Sequence, residues 1–405
     1  MQKKTILIVA ALGLLSGCAQ RPHIKALPLT IPNDALKTVP DRQIPDLADD
    51  MDDISLETAL EKSLSYYRDL PGNAQIFFGR DAYKISTLRR SFEQFSELIR
   101  TIKDPEERKK AIQKHFTLYK STGSSPQGNV IFSAYYEPVL AARLTPNAEY
   151  RYPLYGKPQD LVEIDLGDLN VLWKGRKAVA RVEGNFLNPY YTRTDIDSRQ
   201  VLQGRGLEIA WARDPYDVYL LQVEGSGWLK IDGSTETIRI RYAASNGQPY
   251  RSVGLSVIER GLMSSRDVSV KGLRSYFQDH PEKRQEILNT NPRYIFFWLD
   301  RSPDSAWAFG NLNVPLTPGR SVATDPALFP AGALGWIKTQ MPVLDKEGKV
   351  IGSKPLSRFV LNQDEGGAIK GPARLDLFVG SVDDAGRFAG KFWQAGELYF
   401  LVIKN

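Results

Sequence analysis

At about Gly128 the spacing of apolar residues changes from a helical period to an alternating one, and this limits the chain to helices and sheets in separate runs. Upstream, Leu56, Leu60 and Leu64 recur behind Ser55, and Leu88, Phe92, Phe95 and Ile99 form a second stripe behind Ser86-Thr87. Asp104-Pro105-Glu106-Glu107 opens a third helix, with Asp at the cap, Pro at the first helical position and Glu three residues after the cap. Downstream, Val130, Phe132, Ala134 and Tyr136 alternate. Runs such as DVYLLQVEG and TIRIRY, set among Gly and Pro, extend the β pattern to about 245. Helical periods return over 252–290, with Val253, Val257 and Ile258, then Leu273, Tyr276 and Phe277. The last hundred or so residues read as β again, with a hairpin at DKEG (345–348).

The N-terminus sets the compartment. Lys3 and Lys4 precede an apolar run, Ile6 to Leu15, that is too short to span a bilayer, so it reads as a secretory signal. The run ends in Leu15-Ser16-Gly17-Cys18, which resembles the lipobox of bacterial lipoproteins and implies lipidation at Cys18 after removal of residues 1–17. Cys18 is the only cysteine in 405 residues, so the exported chain has no disulfide. Ala19 stands where enterobacterial lipoproteins of the inner membrane carry an aspartate, which points to the outer membrane, facing the periplasm of a Gram-negative bacterium. Pro22, Pro28, Pro32, Pro40 and Pro45 among polar residues make 18–50 read as the lipidated cysteine and a flexible tether. Loss of Lys3 and Lys4 with the signal lowers the net charge from +6 to +4 (6 − 2), too small a surplus to indicate nucleic acid.

One strand raises a chemical question. In RLDLFV, Leu375, Leu377 and Val379 share one face while Arg374, Asp376 and Phe378 share the other. Asp376 either marks a wet face or is a carboxyl held in an apolar setting. Asp364 precedes the Gly366-Gly367 pair, which lets a backbone approach a ligand or another strand, and Asp325-Pro326 follows a Pro-Gly turn. Three aspartates on separate β segments either gather around one cleft or are unrelated surface acids. His23, His115 and His280 are scattered without ligand spacing, so no metal and no cofactor is expected. There is no P-loop or dinucleotide fingerprint.

These segments carry a family resemblance. ATDPALFP, NQDEGGAIKG and LDLFVG resemble the three-aspartate C-terminal domain of the membrane-bound lytic murein transglycosylase A family. FSAYYEP (132–138), LQVEGSG (221–227), YAASNGQPYRSVG (242–254) and NPRYIFF (291–297) are similar to its other signatures, in its order. The resemblance implies a mainly β fold with flanking helices: a double-psi β-barrel domain, a second inserted β-barrel-like domain, and a groove between them for the glycan strand. The expected divisions are N-terminal helices and the first barrel strand over 51–138, the inserted domain over 139–245, a helical return over 246–299, and the three-aspartate barrel over 300–405.

It also implies an activity: cleavage of the β-1,4 bond between N-acetylmuramic acid and N-acetylglucosamine in peptidoglycan, with formation of 1,6-anhydromuramic acid. Glycosidases usually need two carboxyl groups, but here the C6 hydroxyl of the same sugar attacks C1, so a single acid suffices to protonate the bridging oxygen and then take the hydroxyl proton. The resemblance puts Asp376 in that role, with Asp364 and Asp325 as supporting acids. From the upstream signatures it puts Ser133, Tyr135, Tyr136 and Glu137 on the substrate. From LQVEGSG it adds Gln222, Glu224, Ser226 and Gly227. Glu224 departs from the glutamine frequent in the family and introduces a second carboxyl. The implied partners are peptidoglycan strands, the membrane through lipid, and cell-wall synthesis proteins. Three alternatives remain: a water-using muramidase on the same site, a non-catalytic peptidoglycan-binding lipoprotein, and a metal-dependent hydrolase using the aspartates as ligands.

Overall fold

The structure, a computed structural model, describes residues 34–404 apart from 126, 174–176, 302–307 and 382. The signal sequence and Cys18 lie outside the described residues.

Eight strands form one sheet, and six of them close on themselves. Around the ring run Gln394–Ile403, Leu334–Leu344, Val350–Glu365, Ser321–Thr324, Arg374–Phe378 and Val130–Tyr135, and the last pairs back with Gln394–Ile403 through Phe132 and Gln394. Ser321–Thr324 with Val350–Glu365, and Arg374–Phe378 with Val130–Tyr135, are parallel pairs in an otherwise antiparallel ring. Closure leaves no open edge within the ring. The DKEG hairpin is present between Leu334–Leu344 and Val350–Glu365, with Gly348 at φ 78° and the Asp345 carboxylate accepting from the backbone of Glu347 and Lys349.

The three expected helices form as Asp53–Asp69, Ile85–Thr101 and Pro105–His115; the first two begin before Ser55 and Ser86-Thr87, which lie inside their first turns. Asp52 and Asp104 cap the first and third through the N–H groups of Ser55 and Glu107. Phe95 of the second meets Phe116 and Phe359 at ring separations of 5.6 and 5.0 Å. Each such buried ring contributes roughly 1.5–3 kcal/mol.

The tether is shorter than its composition suggests. Leu36–Thr38 pairs with Phe116–Ser121, and Ala35, Leu36 and Leu47 are buried. Asp49 bonds the fully buried Arg320 at 2.7 Å, and Asp50 bonds Arg358 at 2.7 and 2.8 Å. A buried guanidinium without a carboxylate is strongly destabilising, so these acids tie 34–50 to the barrel.

After Val130–Tyr135 the chain leaves for a second unit and returns only at Ser321–Thr324. The second sheet has the order Ile295–Asp300, Thr237–Ser245, Gly227–Ile231, Val139–Arg143, Glu208–Ala212 and Tyr152–Tyr155, and a bridge from Gly156 to Phe297 brings its two ends together. DVYLLQVEG, expected as strand, forms instead most of the helix Pro215–Glu224 and its cap Gly225. Asp214 caps it through the Tyr216 N–H, Pro215 occupies its first turn, and Gly225 ends it at φ 84°. The helices Val253–Glu259, Val270–Asp279 and Pro281–Leu288 pack on it through Tyr216, Tyr219, Val257, Leu273 and Phe277. Because Ile295–Asp300 pairs along Thr237–Ser245, a division at 245 falls between two strands of one sheet. Among the described residues no helix is long and apolar enough to cross a membrane.

Candidate active site

Barrel register sets out the acids. Ala323 stands opposite Asp364 on one side and Asp376 on the other, and Asp376 stands opposite Ser133. Asp364, Ala323, Asp376 and Ser133 therefore form a row across four strands, the two aspartates two strand spacings, about 10 Å, apart in backbone. The alanine between them is itself buried, 3% exposed.

Asp376 is partly exposed, but its Oδ1 is enclosed and has no hydrogen-bond partner. Burial pushes its carboxyl above the usual range, opposed by the nearby Ser133 hydroxyl and the Arg374 charge. Asp364 accepts from the Tyr135 hydroxyl at 2.8 Å and from the backbone N–H groups of Asn311 and Glu365, each at 2.9 Å. Burial pushes Asp364 up to about 6 despite these donors. The Tyr135 ring lies on Phe378, centroids 5.3 Å apart, which explains why Phe378 is fully buried on the face that carries Asp376.

The second unit adds Glu224. As the last residue of Pro215–Glu224 it sits where the helix's partial negative charge disfavours a carboxylate. Its Oε2 accepts the Tyr136 N–H at 3.2 Å. Burial raises it to about 8, the Tyr136 N–H opposing and the Asp376 charge adding to the rise. The Tyr135 hydroxyl, raised well above its usual value chiefly by burial, also feels Asp364, Asp376 and Glu224. One tyrosine thus stands within the field of all three carboxyl groups.

Other expected residues play different parts. Asp325 accepts from Ala327 N at 3.2 Å and Gly371 N at 2.8 Å, with Lys370 Nζ 4.0 Å away. Among the described residues it has no hydrogen bond to Asp364 or Asp376, so it holds a turn rather than supporting the acid pair. Glu137 is 1% exposed and bonds Arg239 at 3.0 Å, with the Ser226 hydroxyl donating to it at 3.4 Å. Being sealed under the junction of the two units, it is inaccessible to a sugar. Gln222 is likewise buried, its Oε1 accepting from the buried Arg193. Gly227 is required by its own chain: a Cβ there would lie 2.6 Å from the Pro138 carbonyl oxygen. Ser226 and Tyr136 remain partly exposed, the Tyr136 ring packed against Gly386.

Several residues near the acids escaped the sequence reading. Arg374 stacks its guanidinium on Trp393 at 4.3 Å and donates to Ser133 Oγ at 2.9 Å, a position that strand alternation with Asp376 makes legible. Tyr250, within YAASNGQPYRSVG, feels the charges of Glu224 and Arg374. Nothing in the sequence marks Asn311. Arg293 crosses between the units, and its guanidinium would lie 3.2 Å from a Cβ at Gly367, so that glycine admits a side chain of the other unit. Gln222, Tyr250, Arg293, Gly367 and Ala368 line a cavity there. Among the described residues no group of three or more His, Cys, Asp or Glu side chains is placed to hold a metal ion.

Comparison with known proteins agrees with this architecture. Residues 131–298 match the model of the MltA-specific insert domain, and residues 320–402 match the 3D domain. The chain is 28% identical over 406 residues to the membrane-bound lytic murein transglycosylase A of Vibrio cholerae, covering 99% of this chain and 95% of that one. It is 30% identical over 286 residues to the Escherichia coli K12 protein of the same name, covering 70% of this chain and 68% of the other. The crystal structure of a membrane-bound lytic murein transglycosylase from Agrobacterium tumefaciens superposes with a TM-score of 0.72 at 29% identity, over 91% of this chain and 98% of that one.

Proposed function

This chain belongs to the membrane-bound lytic murein transglycosylase A family, and we infer that it cleaves the β-1,4 bond between N-acetylmuramic acid and N-acetylglucosamine in peptidoglycan, forming 1,6-anhydromuramic acid. The observation that carries this for the site is Asp376: a carboxyl pushed towards its protonated form by burial, in a row of barrel positions that the second unit faces. A protonated acid donates to the bridging oxygen as the C1–O bond breaks. Its carboxylate then takes the proton of the C6 hydroxyl as that oxygen bonds to C1. Attack within one sugar needs no bound water and little further loss of freedom, so one group serves both transfers.

Asp364 stabilises positive charge developing at C1 when ionised, and its three donors hold it in place. Tyr135 fixes Asp364, and Tyr136 and Ser226 offer partly exposed polar groups to sugar. Glu224, a second carboxyl beside Asp376, supports a second reading, in which Glu224 or Asp364 once ionised activates water and the product is a reducing end. Mass spectrometry of digested sacculi in H2-18O separates the two. Anhydro products without label support the transglycosylase, labelled reducing ends support hydrolysis, and binding without products supports a carbohydrate-binding lipoprotein.

We further propose that Cys18 carries lipid and holds the enzyme at the outer membrane facing the periplasm, beside cell-wall synthesis proteins. The membrane-bound names of its relatives support the anchored state.

A further inference from the structure

Arg374 lies two residues before Asp376 on the same strand and face, yet its guanidinium is not spent on an ion pair with that acid. Stacked on Trp393 at 4.3 Å, it donates from Nη2 to Ser133 Oγ at 2.9 Å, and its Nη1 is enclosed without a partner. Ser133 is the register partner of Asp376 on the neighbouring parallel strand. A hydroxyl has one proton, and a guanidinium only donates. With Arg374 filling its acceptor side, Ser133 directs its proton away from Arg374, and the Asp376 carboxyl is the acceptor within reach.

We propose that Arg374 is a positioning residue that acts through Ser133, holding that hydroxyl as an obligate donor to the Asp376 carboxyl, so that Asp376 exchanges its catalytic proton on the oxygen that Ser133 does not hold. This rests on the transglycosylase reading of Asp376. The groups around the acid are Arg374 on its own strand, Ser133 and Tyr135 on Val130–Tyr135, Glu224 on the helix Pro215–Glu224, and Asp364 beyond Ala323. Of the charged side chains among these, only Arg374 favours the ionised acid. The serine relays that preference without placing a cation against the carboxyl, where it would hold Asp376 ionised and useless as an acid. During ring closure the same donor steadies the carboxylate that has just released its proton.

The test uses the soluble chain lacking residues 1–18 and follows release of anhydro muropeptides against pH for Ser133→Ala, Ser133→Thr, Arg374→Gln and the double variant Ser133→Ala/Arg374→Gln. Ser133→Ala is expected to lower kcat roughly ten- to hundredfold with KM nearly unchanged. Its alkaline limb moves to higher pH, because a donor that favours the carboxylate is gone. Ser133→Thr restores both, and Arg374→Gln added to Ser133→Ala has little further effect, as two members of one relay should. Melting curves and sacculus binding identify any variant that simply fails to fold, and Ser133→Thr, which keeps the hydroxyl, then decides the matter. Independent effects that multiply, or an unshifted pH limb in folded Ser133→Ala, overturn the relay. Absence of anhydro products from the wild-type chain would instead overturn the transglycosylase reading.

Discussion

The hydroxyl of Tyr135 donates to Asp364 at 2.8 Å, while the next residue, Tyr136, gives its backbone N–H to Glu224 at 3.2 Å. Two consecutive residues at the exit from the first barrel thus hold one carboxyl from each unit. The placement of the acids depends on how the chain leaves one barrel for the other.

Tyr135→Phe keeps the ring on Phe378 and removes only the hydroxyl. Loss of that donor raises Asp364 above its value of about 6 and reduces the carboxylate fraction available near neutral pH. Activity at pH 7 is expected to fall by roughly one to two orders of magnitude, with stability changed by only about 1 kcal/mol. Steady-state kinetics between pH 5 and pH 8, together with a urea titration, checks both.

Glu224→Gln should stabilise the protein in a pH-dependent way. A carboxyl whose folded value is about 8 against an ordinary 4.5 opposes folding above the lower value, increasingly until the higher one is passed. The substitution therefore gives no gain near pH 4 and an upper limit of roughly 3 kcal/mol at pH 7. Melting temperatures across that range measure it. An equal gain at both pH values contradicts the burial argument.

Glu137→Gln removes the carboxylate from a pair in which Arg239 and Glu137 side chains are 2% and 1% exposed. Breaking such a pair costs about 3–5 kcal/mol. We expect a large drop in the denaturation midpoint but normal kcat in the molecules that remain folded. A selective rise in KM at unchanged stability would return Glu137 to the substrate.

Gly227→Ala separates packing from ligand approach. Its Cβ would come within 2.6 Å of the Pro138 carbonyl oxygen and 2.7 Å of Leu221, so destabilisation of roughly 1–3 kcal/mol is expected. Thermal denaturation reads this directly, whereas weaker sacculus binding with an unchanged melt would favour a sugar contact.

Elements with strong local signals were legible. The cap Asp104 and the DKEG turn act through neighbouring backbone N–H groups, which is information carried within four residues, whereas the first helix is capped by Asp52 and not at Ser55. DVYLLQVEG was misread because its β-branched and aromatic residues outweighed the Asp214-Pro215 start and the Gly225 stop that make it helical. Residues 34–50 look like tether since their anchors, Arg320 and Arg358, lie some three hundred residues away. Asp376 and Asp364 could be singled out, but the row linking them through Ala323 to Ser133 depends on strand order, which spacing does not encode. The burial of Glu137 and Gln222 depends equally on partners from distant strands and loops.

The most direct test of Asp376 as the single acid and base compares wild-type and Asp376→Asn protein on purified sacculi, with mass spectrometry of the products and a sedimentation assay for binding. Wild-type protein is expected to release 1,6-anhydro muropeptides, and Asp376→Asn to lose at least about a thousandfold of that activity with undiminished binding. Anhydro products formed by Asp376→Asn at near wild-type rate would contradict it and move the chemistry to Glu224 or Asp364.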